Sequence, residues 1–331
     1  MDGMHMLILG LFQALVVLFF SPLLHGVIQK TKALRTGRRG APIVQPIYDL
    51  SKWFQKDITL ANTHSVLTVL IPYVVFTLTF ALNMSIPMVS RDAPIAWMSD
   101  VFVFMYVLAT TVVLLALAAL DQGASFGALG SSREMMLSFF IEGAFIATLL
   151  VIVYATPTER LSQAMVVFGE RTPLNLSYFL LLLAFFLLVL AEMGRIPIDN
   201  PDTHLELTMV HEAMLLEYSG RHLSLLTWAQ MMKSWLFASM FVNLFFPTWH
   251  LTSTIVAFLF GSSPYETASF GVTVLMLFVG TIVLFIKLFL LAVFIGWVET
   301  TFAKMRLFKV PRLLSTALLL ALLAFLATLT A

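Results

Sequence analysis

AEMGRIPIDNPDTHLELTMVHEAMLLEYSG (191–220) is the stretch on which the reading of the chain turns. Between two long apolar segments it gathers Glu192, Asp199, Asp202, His204, Glu206, His211, Glu212 and Glu217. Asn200 suits a helix N-cap, Pro201 the first helical position and Asp202 the positive helix end, so a short second helix is expected to begin there. Pro197 and Pro201 separate it from the apolar helix that precedes it. At about 100° per residue, Glu206, Val210, Ala213 and Glu217 would share one stripe, with His204, Thr208 and His211 on roughly the opposite side. Such a helix presents two titratable faces; the plainer reading is a solvated loop with scattered charge.

Outward from this stretch the chain is apolar. Its 331 residues are 60% hydrophobic and 11% charged, with 30 Phe, and the mean hydropathy is +0.95. That excludes an ordinary soluble domain and points to an all-α polytopic membrane protein. The absence of cysteine removes disulfides, iron–sulfur ligation and thiol catalysis from this chain. A net charge of +1 gives no reason to expect nucleic acid; the partner that composition demands is the lipid bilayer.

Eight apolar segments are long enough to span it: about 5–28, 65–86, 101–120, 135–155, 176–194, 224–246, 269–298 and 312–331. With no internal repeat and no low-complexity tract, residues 1–331 read as a single membrane domain. No basic residue precedes Lys30, so the first segment reads as a retained helix rather than a secretory signal. Fourteen Lys and Arg fall in loops on one side, against Arg91, Arg160 and Arg171 on the other. This asymmetry predicts a multi-pass protein with both termini outside and an acidic loop, about 195–223, in the cytoplasm.

Residues 43–56, IVQPIYDLSKWFQK, set Ile47, Leu50, Trp53 and Phe54 against Tyr48, Asp49, Lys52 and Lys56. They read as an amphipathic interfacial helix. The segment 121–134, DQGASFGALGSSRE, reads as a close-packed turn; its glycines have neither the lysine nor the preceding strand of a phosphate loop.

Lys233, Lys287 and Glu142 lie inside apolar segments, Glu142 about 12 Å along its helix from Glu134, and Glu192 closes the fifth segment. A charge at membrane depth is costly unless it faces a partner or water, so each is a functional candidate. Snorkelling or a packing ion pair is the alternative. His211-Glu212 opens like a zinc-protease motif, but position 215 is Leu, so the second ligand is missing. No nucleophilic triad and no dinucleotide fingerprint occurs, and no reaction centre is expected in this chain.

Five stretches carry a family likeness: RRGAPIVQPIYDLSKWF (38–54), LDQGASFGALGSSREMML (120–137), AEMGRIPIDNPDTHLEL (191–207), EYSG (217–220) and IKLFLLAVFIGWVETTFAKMRL (286–307). Through them the chain resembles the subunit 1 family of respiratory NADH:quinone oxidoreductase. Within it the chain is similar to the membrane anchors of group 4 nickel–iron hydrogenases and formate hydrogenlyase, the hydrogenase-4 type included. The resemblance implies about eight tilted transmembrane helices that dock a hydrophilic electron-transfer arm and couple its redox events to proton or sodium movement.

The implied partners are large and small peripheral subunits, an iron–sulfur subunit and antiporter-like membrane subunits. Iron–sulfur clusters and a nickel–iron centre would sit in those partners, with no cofactor or metal in this chain. Carried over, Glu134, Glu142, Glu192, Glu206, Glu212 and Glu217 form an acidic path, joined by Asp199, Asp202, His204, His211, Lys233 and Lys287. Arg38, Arg39, Asp121, Arg133, Arg195 and Arg221 would face the arm.

Two departures matter. The acidic loop reads IDNPDTHLELTMVHEAM, where many relatives carry a denser run of carboxylates. The first basic loop has RRGAPIVQP in place of the arginine-rich quinone-enzyme run, which favours the hydrogenase-type branch over the alternative of a quinone-site subunit. Two other classes are an autonomous secondary transporter, disfavoured by the lack of a repeat, and a passive anchor with no ion role.

Overall fold

The computed structural model describes residues 3–60, 64–156, 158, 160–171, 175–199, 209–247 and 270–330. Eleven α-helices occur among them: α1 (Gly3–Arg35), α2 (Gln45–Phe54), α3 (Val66–Met84), α4 (Val101–Asp121), α5 (Ser125–Ala155), α6 (Leu161–Arg171), α7 (Leu176–Glu192), α8 (His211–Leu215), α9 (Gly220–Phe245), α10 (Phe270–Thr301) and α11 (Val310–Thr330). All eight expected apolar segments fall on helices. By length and composition, six helices are apolar enough to cross a membrane: α1, α3, α4, α5, α10 and α11. The protein is an all-α polytopic membrane protein.

The helices on the two remaining apolar segments differ from these six in instructive ways. α7 is apolar but only 17 residues long. α9 is 26 residues long yet carries Ser224, Ser234, Ser239 and Asn243, all buried. It packs against α1, α2, α3, α6, α7 and α10, so protein rather than lipid surrounds it and its surface has no need to be apolar on every side. α10 and α11 lie at the periphery and turn Phe278, Phe289, Phe294, Leu319 and Leu326 outward.

Backbone that leaves the helical path must satisfy its carbonyls within the protein. After α3 the chain does so through two buried amides. Gln13 Nε2 donates to the carbonyls of Asn83 (2.8 Å) and Ile86 (3.0 Å). Asn243 Nδ2 donates to those of Pro87 (3.1 Å) and Met88 (3.2 Å).

Three expectations change. Residues 125–134 are the first turns of α5 rather than a turn. A Cβ at Gly127 would meet the Ala119 carbonyl at 2.8 Å, and one at Gly130 would meet the Ala213 Cβ at 2.8 Å, so these glycines are close-packing surfaces for α4 and α8. The apolar side of α2 is covered by the chain itself: α2 packs on α1 and α9, Leu50 is buried, and Phe54 lies edge-on to Trp228 with ring centroids 6.0 Å apart. The helix expected from residue 201 onward lies outside the described residues up to 208. Its continuation does not hold, because Val210 leaves helical geometry (φ −115°, ψ −83°) and a separate single turn begins at His211. α6 is additional, with Leu161, Ala164, Met165 and Phe168 on its buried face.

Candidate functional site

The functional side chains meet at the charged end of the bundle, where α7 stops and α9 begins. α7 closes in a Schellman turn: Gly194 N–H donates to the Ala191 carbonyl at 3.0 Å and Arg195 N–H to the Leu190 carbonyl at 2.9 Å, with Gly194 at φ +59°. A side chain is strained in that conformation, so glycine there turns the backbone inward. The turn leaves Glu192 on the last helical residue facing α9 and folds 195–199 back over the site. On the other side, Gly130 lets α8 settle on α5, which brings His211 towards Glu134.

Lys233 Nζ lies 2.6 Å from Glu192 Oε2, with the side chains only 12% and 7% exposed. A pair this buried persists because each charge would be stranded without the other. Two cavities of about 30 Å³ flank it. One is lined by Glu134, His211, Gln230 and Lys233 with Thr79 and Thr111; the other by Glu134, Ser138, Glu192, Asp199, His211 and Lys233. Each has room for water.

Above them a vestibule of about 210 Å³ is bounded by His25, Gln29, Asp49, Trp53, Arg195, Asp199, His211, Glu212 and Gln230. His211 and Gln230 line all three spaces. Burial holds the His211 imidazole below the ordinary histidine range; Lys233 acts in the same direction, and Glu212, Asp199 and Glu192 oppose it.

A second charged network secures the vestibule wall. Arg195 Nη1 lies 3.4 Å from Glu299 Oε1, its Nη2 is 2.9 Å from His25 Nδ1, and Lys32 Nζ is 3.6 Å from Glu299 Oε2. Lys304 Nζ donates to Asp199 Oδ1 at 2.7 Å, and Met305 N–H donates to the Pro197 carbonyl at 2.9 Å. The 195–199 turn is thereby tied to α1 and to the α10–α11 connection.

Of the expected path residues, Glu134, Glu192, Asp199, His211 and Lys233 come together at one cavity, and Glu212 lines the vestibule beside them. Glu142 lines a different space, a groove of about 460 Å³ between α4 and α5 with Tyr106, Ile146 and Leu150. Glu217 is exposed. Lys287 donates to Asn243 and to the Phe246 carbonyl and lines none of these spaces. Asp202, His204 and Glu206 lie outside the described residues.

Among the expected docking residues, Arg38, Arg39 and Arg221 are exposed, and Arg133 Nη1 donates to the Met209 carbonyl at 2.8 Å. Arg195 and Asp121 need correction. Arg195 is 3% exposed and committed inward, because its charge neutralises buried Glu299. Asp121 Oδ2 accepts from Ser65 Oγ (2.8 Å) and Thr68 N–H (3.3 Å), so it completes the free amino end of α3. His25, Gln230, Glu299 and Lys304 were not anticipated. Glu299 carried a visible signal, a carboxylate near the end of a 32-residue apolar helix.

Among the described residues no group of three or more His, Asp or Glu has the disposition of a metal site. The arrangement suits proton chemistry: a buried lysine paired with Glu192, further carboxylates of Glu134 and Asp199 on the same cavity, and an imidazole that lines both that cavity and a polar vestibule.

Comparison with known proteins shows the family to which this fold belongs. Hydrogenase-4 component C of Escherichia coli (strain K12) is 32% identical over 249 residues, 74% of this chain and 77% of that protein. Formate hydrogenlyase subunit 4 of the same organism is 27% identical over 322 residues, 97% of this chain and 98% of the relative. A chain in the structure of the membrane-bound sulfane sulfur reductase (MBS), an archaeal respiratory membrane complex, shares the fold with a TM-score of 0.70 at 18% identity, over 95% of this chain and 99% of that one. The profile of the family described as NADH dehydrogenase matches residues 7–330, and the chain belongs to that family.

Proposed function

We propose that this chain is the membrane anchor and energy-coupling subunit of an ion-translocating, hydrogenase-like oxidoreductase complex. Peripheral subunits carrying iron–sulfur clusters and a nickel–iron centre dock at its charged end, on the cytoplasmic face of the inner membrane, and antiporter-like subunits flank it in the bilayer. The similarity to hydrogenase-4 component C and formate hydrogenlyase subunit 4 supports the class of complex. The single observation that carries the coupling role is the buried Glu192–Lys233 pair, with Glu134 lining the same cavities.

Lys233 has two carboxylates within one water-sized space. Charge arriving in the docked arm changes the potential at the 195–199 turn and at α8, and thereby the balance between Lys233 held by Glu192 and Lys233 drawn towards Glu134. Each exchange frees one carboxylate and neutralises the other, so a redox event becomes a change in proton occupancy inside the bundle. A passive anchor would have no use for this choice.

The test is the assembled complex carrying Glu192→Gln or Lys233→Met, reconstituted in liposomes, with ion movement measured per electron transferred. Coupling should be lost while electron transfer in the arm continues. An unchanged ratio in fully assembled complex would reduce the pair to a packing element.

A further inference from the structure

The three spaces at the charged end share only two side chains among the described residues, His211 and Gln230. Of these two only His211 can take up and release a proton; Asp199, which lines the vestibule and one inner cavity, is held by Lys304 Nζ at 2.7 Å. Around it stand Glu134 on α5, Glu192 on α7, Arg195 and Asp199 on the turn after α7, Glu212 on α8 and Lys233 on α9, with His25 and Asp49 across the vestibule. We propose that His211 is the proton-transfer junction between the vestibule and the Glu134, Glu192 and Lys233 interior, and that the ion admitted there is therefore H⁺ rather than Na⁺. This rests on the coupling reading above and adds the residue that serves it and the ion it takes.

Size and ligand chemistry both support the choice of ion. The inner cavities, about 30 Å³ each, hold water but not a cation with its hydration shell. A bare Na⁺ would need several oxygen ligands in its place, and Glu192, one of the carboxylates on the second cavity, already faces an ammonium at 2.6 Å. Adding Na⁺ would set a second cation beside Lys233 with little water to screen the repulsion.

A proton meets neither obstacle. A hydrated proton in the vestibule protonates one ring nitrogen of His211, and the other ring nitrogen releases its own proton through water to the ionised Glu134 carboxylate. One proton enters and one leaves, the imidazole ends neutral in the other tautomer, and a ring flip restores it. Burial keeps the waiting imidazole neutral, the form able to accept.

The experiment uses the whole complex in liposomes, in sodium-free potassium buffer and with sodium added, following internal pH and tracer sodium against electron transfer. His211→Ala should lower proton movement per electron by at least about tenfold, and added imidazole, small enough for the vestibule, should restore part of it. His211→Gln, which keeps side-chain bulk, should be impaired in the same way if His211→Ala fails to assemble. Wild-type coupling should be indifferent to sodium.

Unchanged coupling in an assembled His211 variant, or a loss that imidazole does not relieve, would overturn the junction. Coupling that requires sodium and carries the tracer inward would overturn the ion assignment. Glu192→Gln, run alongside, separates these results from failure of the coupling reading itself, since that reading falls only if Glu192→Gln couples normally.

Discussion

Lys233 and Lys287 each place one amine within an apolar helix, and their surroundings give them opposite roles. Lys233 meets a carboxylate at 2.6 Å, with a second carboxylate and an imidazole on the same cavities. Lys287 meets neutral oxygens: its Nζ donates to Asn243 Oδ1 at 2.8 Å and to the Phe246 carbonyl at 3.2 Å. Asn243 is ten residues beyond Lys233 on α9, about 15 Å along the axis.

An amine facing bases can change partner and move protons. One facing an amide and the last carbonyls of a helix closes that helix end and favours its negative pole. Lys287 also orients Asn243, whose amide nitrogen holds the carbonyls of Pro87 and Met88. The two intramembrane lysines are distinguished by their partners, not by their depth.

The largest effect is expected from breaking the charged pair. Lys233→Met strands Glu192 in the bundle and should cost about 3–5 kcal/mol of stability, because the remaining buried charge has lost its partner. Adding Glu192→Gln to Lys233→Met should recover much of that loss, since the double variant buries no unpaired charge. Denaturant unfolding of the purified protein in detergent measures both. If the double variant is no more stable than Lys233→Met, the ion pair is not what Lys233 contributes.

Lys287→Met removes donor contacts to neutral acceptors and should cost about 1.5–3 kcal/mol, the range for hydrogen bonds from a charged group. Proton movement per electron should stay at the wild-type value in the assembled complex. A Lys287 variant that assembles but fails to couple would erase the distinction between the two lysines.

The sequence made both lysines conspicuous, and it located Glu134, Glu192, Asp199 and His211. What it could not supply was their convergence. The Glu192–Lys233 contact joins residues far apart in the chain, on two helices whose facing sides carry no repeating pattern. Other signals were legible but pointed to the wrong structure. Gly127, Gly130 and Ser131 read as loop chemistry, whereas inside a membrane bundle small residues let helices approach closely.

The buried stripe Leu161, Ala164, Met165 and Phe168 has plain helical spacing, and α6 could have been read from it. His25 is hidden by its position near the end of a long apolar run, where a polar residue passes for a boundary. Gly194 was a readable helix stop, yet the sequence does not say that the turn it makes faces Arg195 inward to Glu299. The break at Val210 has no sequence signal; it follows from α8 packing against Gly130.

A smaller effect concerns pH. His211 titrates below the ordinary histidine value in the folded protein, against about 6.5 when unfolded. As pH falls below about 6.5 the unfolded chain takes up a proton there that the folded chain resists, so stability drops with acidification. The slope from this one group is at most about 1.4 kcal/mol per pH unit, and the loss ends once pH passes the folded value. Melting curves from pH 7.5 down to 5 should show a shallower acid decline in His211→Gln than in the wild type. Parallel curves would mean that His211 is as easily protonated in the bundle as in water.

The smallest effect on stability is expected at Arg38 and Arg39, which carry the same formal charge as the lysines but stand exposed in the segment after α1. Their side chains have water around them, so replacing them with Gln leaves no stranded partner and removes no buried contact. Lys30 Nζ donates to the Arg39 carbonyl at 2.6 Å, a contact that uses the backbone and survives the substitution. The double variant Arg38→Gln, Arg39→Gln should therefore melt with the wild type. What it should lose is association with the peripheral arm, read as the salt concentration at which that arm dissociates from the membrane. A lowered melting temperature with normal arm retention would place these arginines with Lys287, as parts of the fold, and would move the docking surface elsewhere on the charged end.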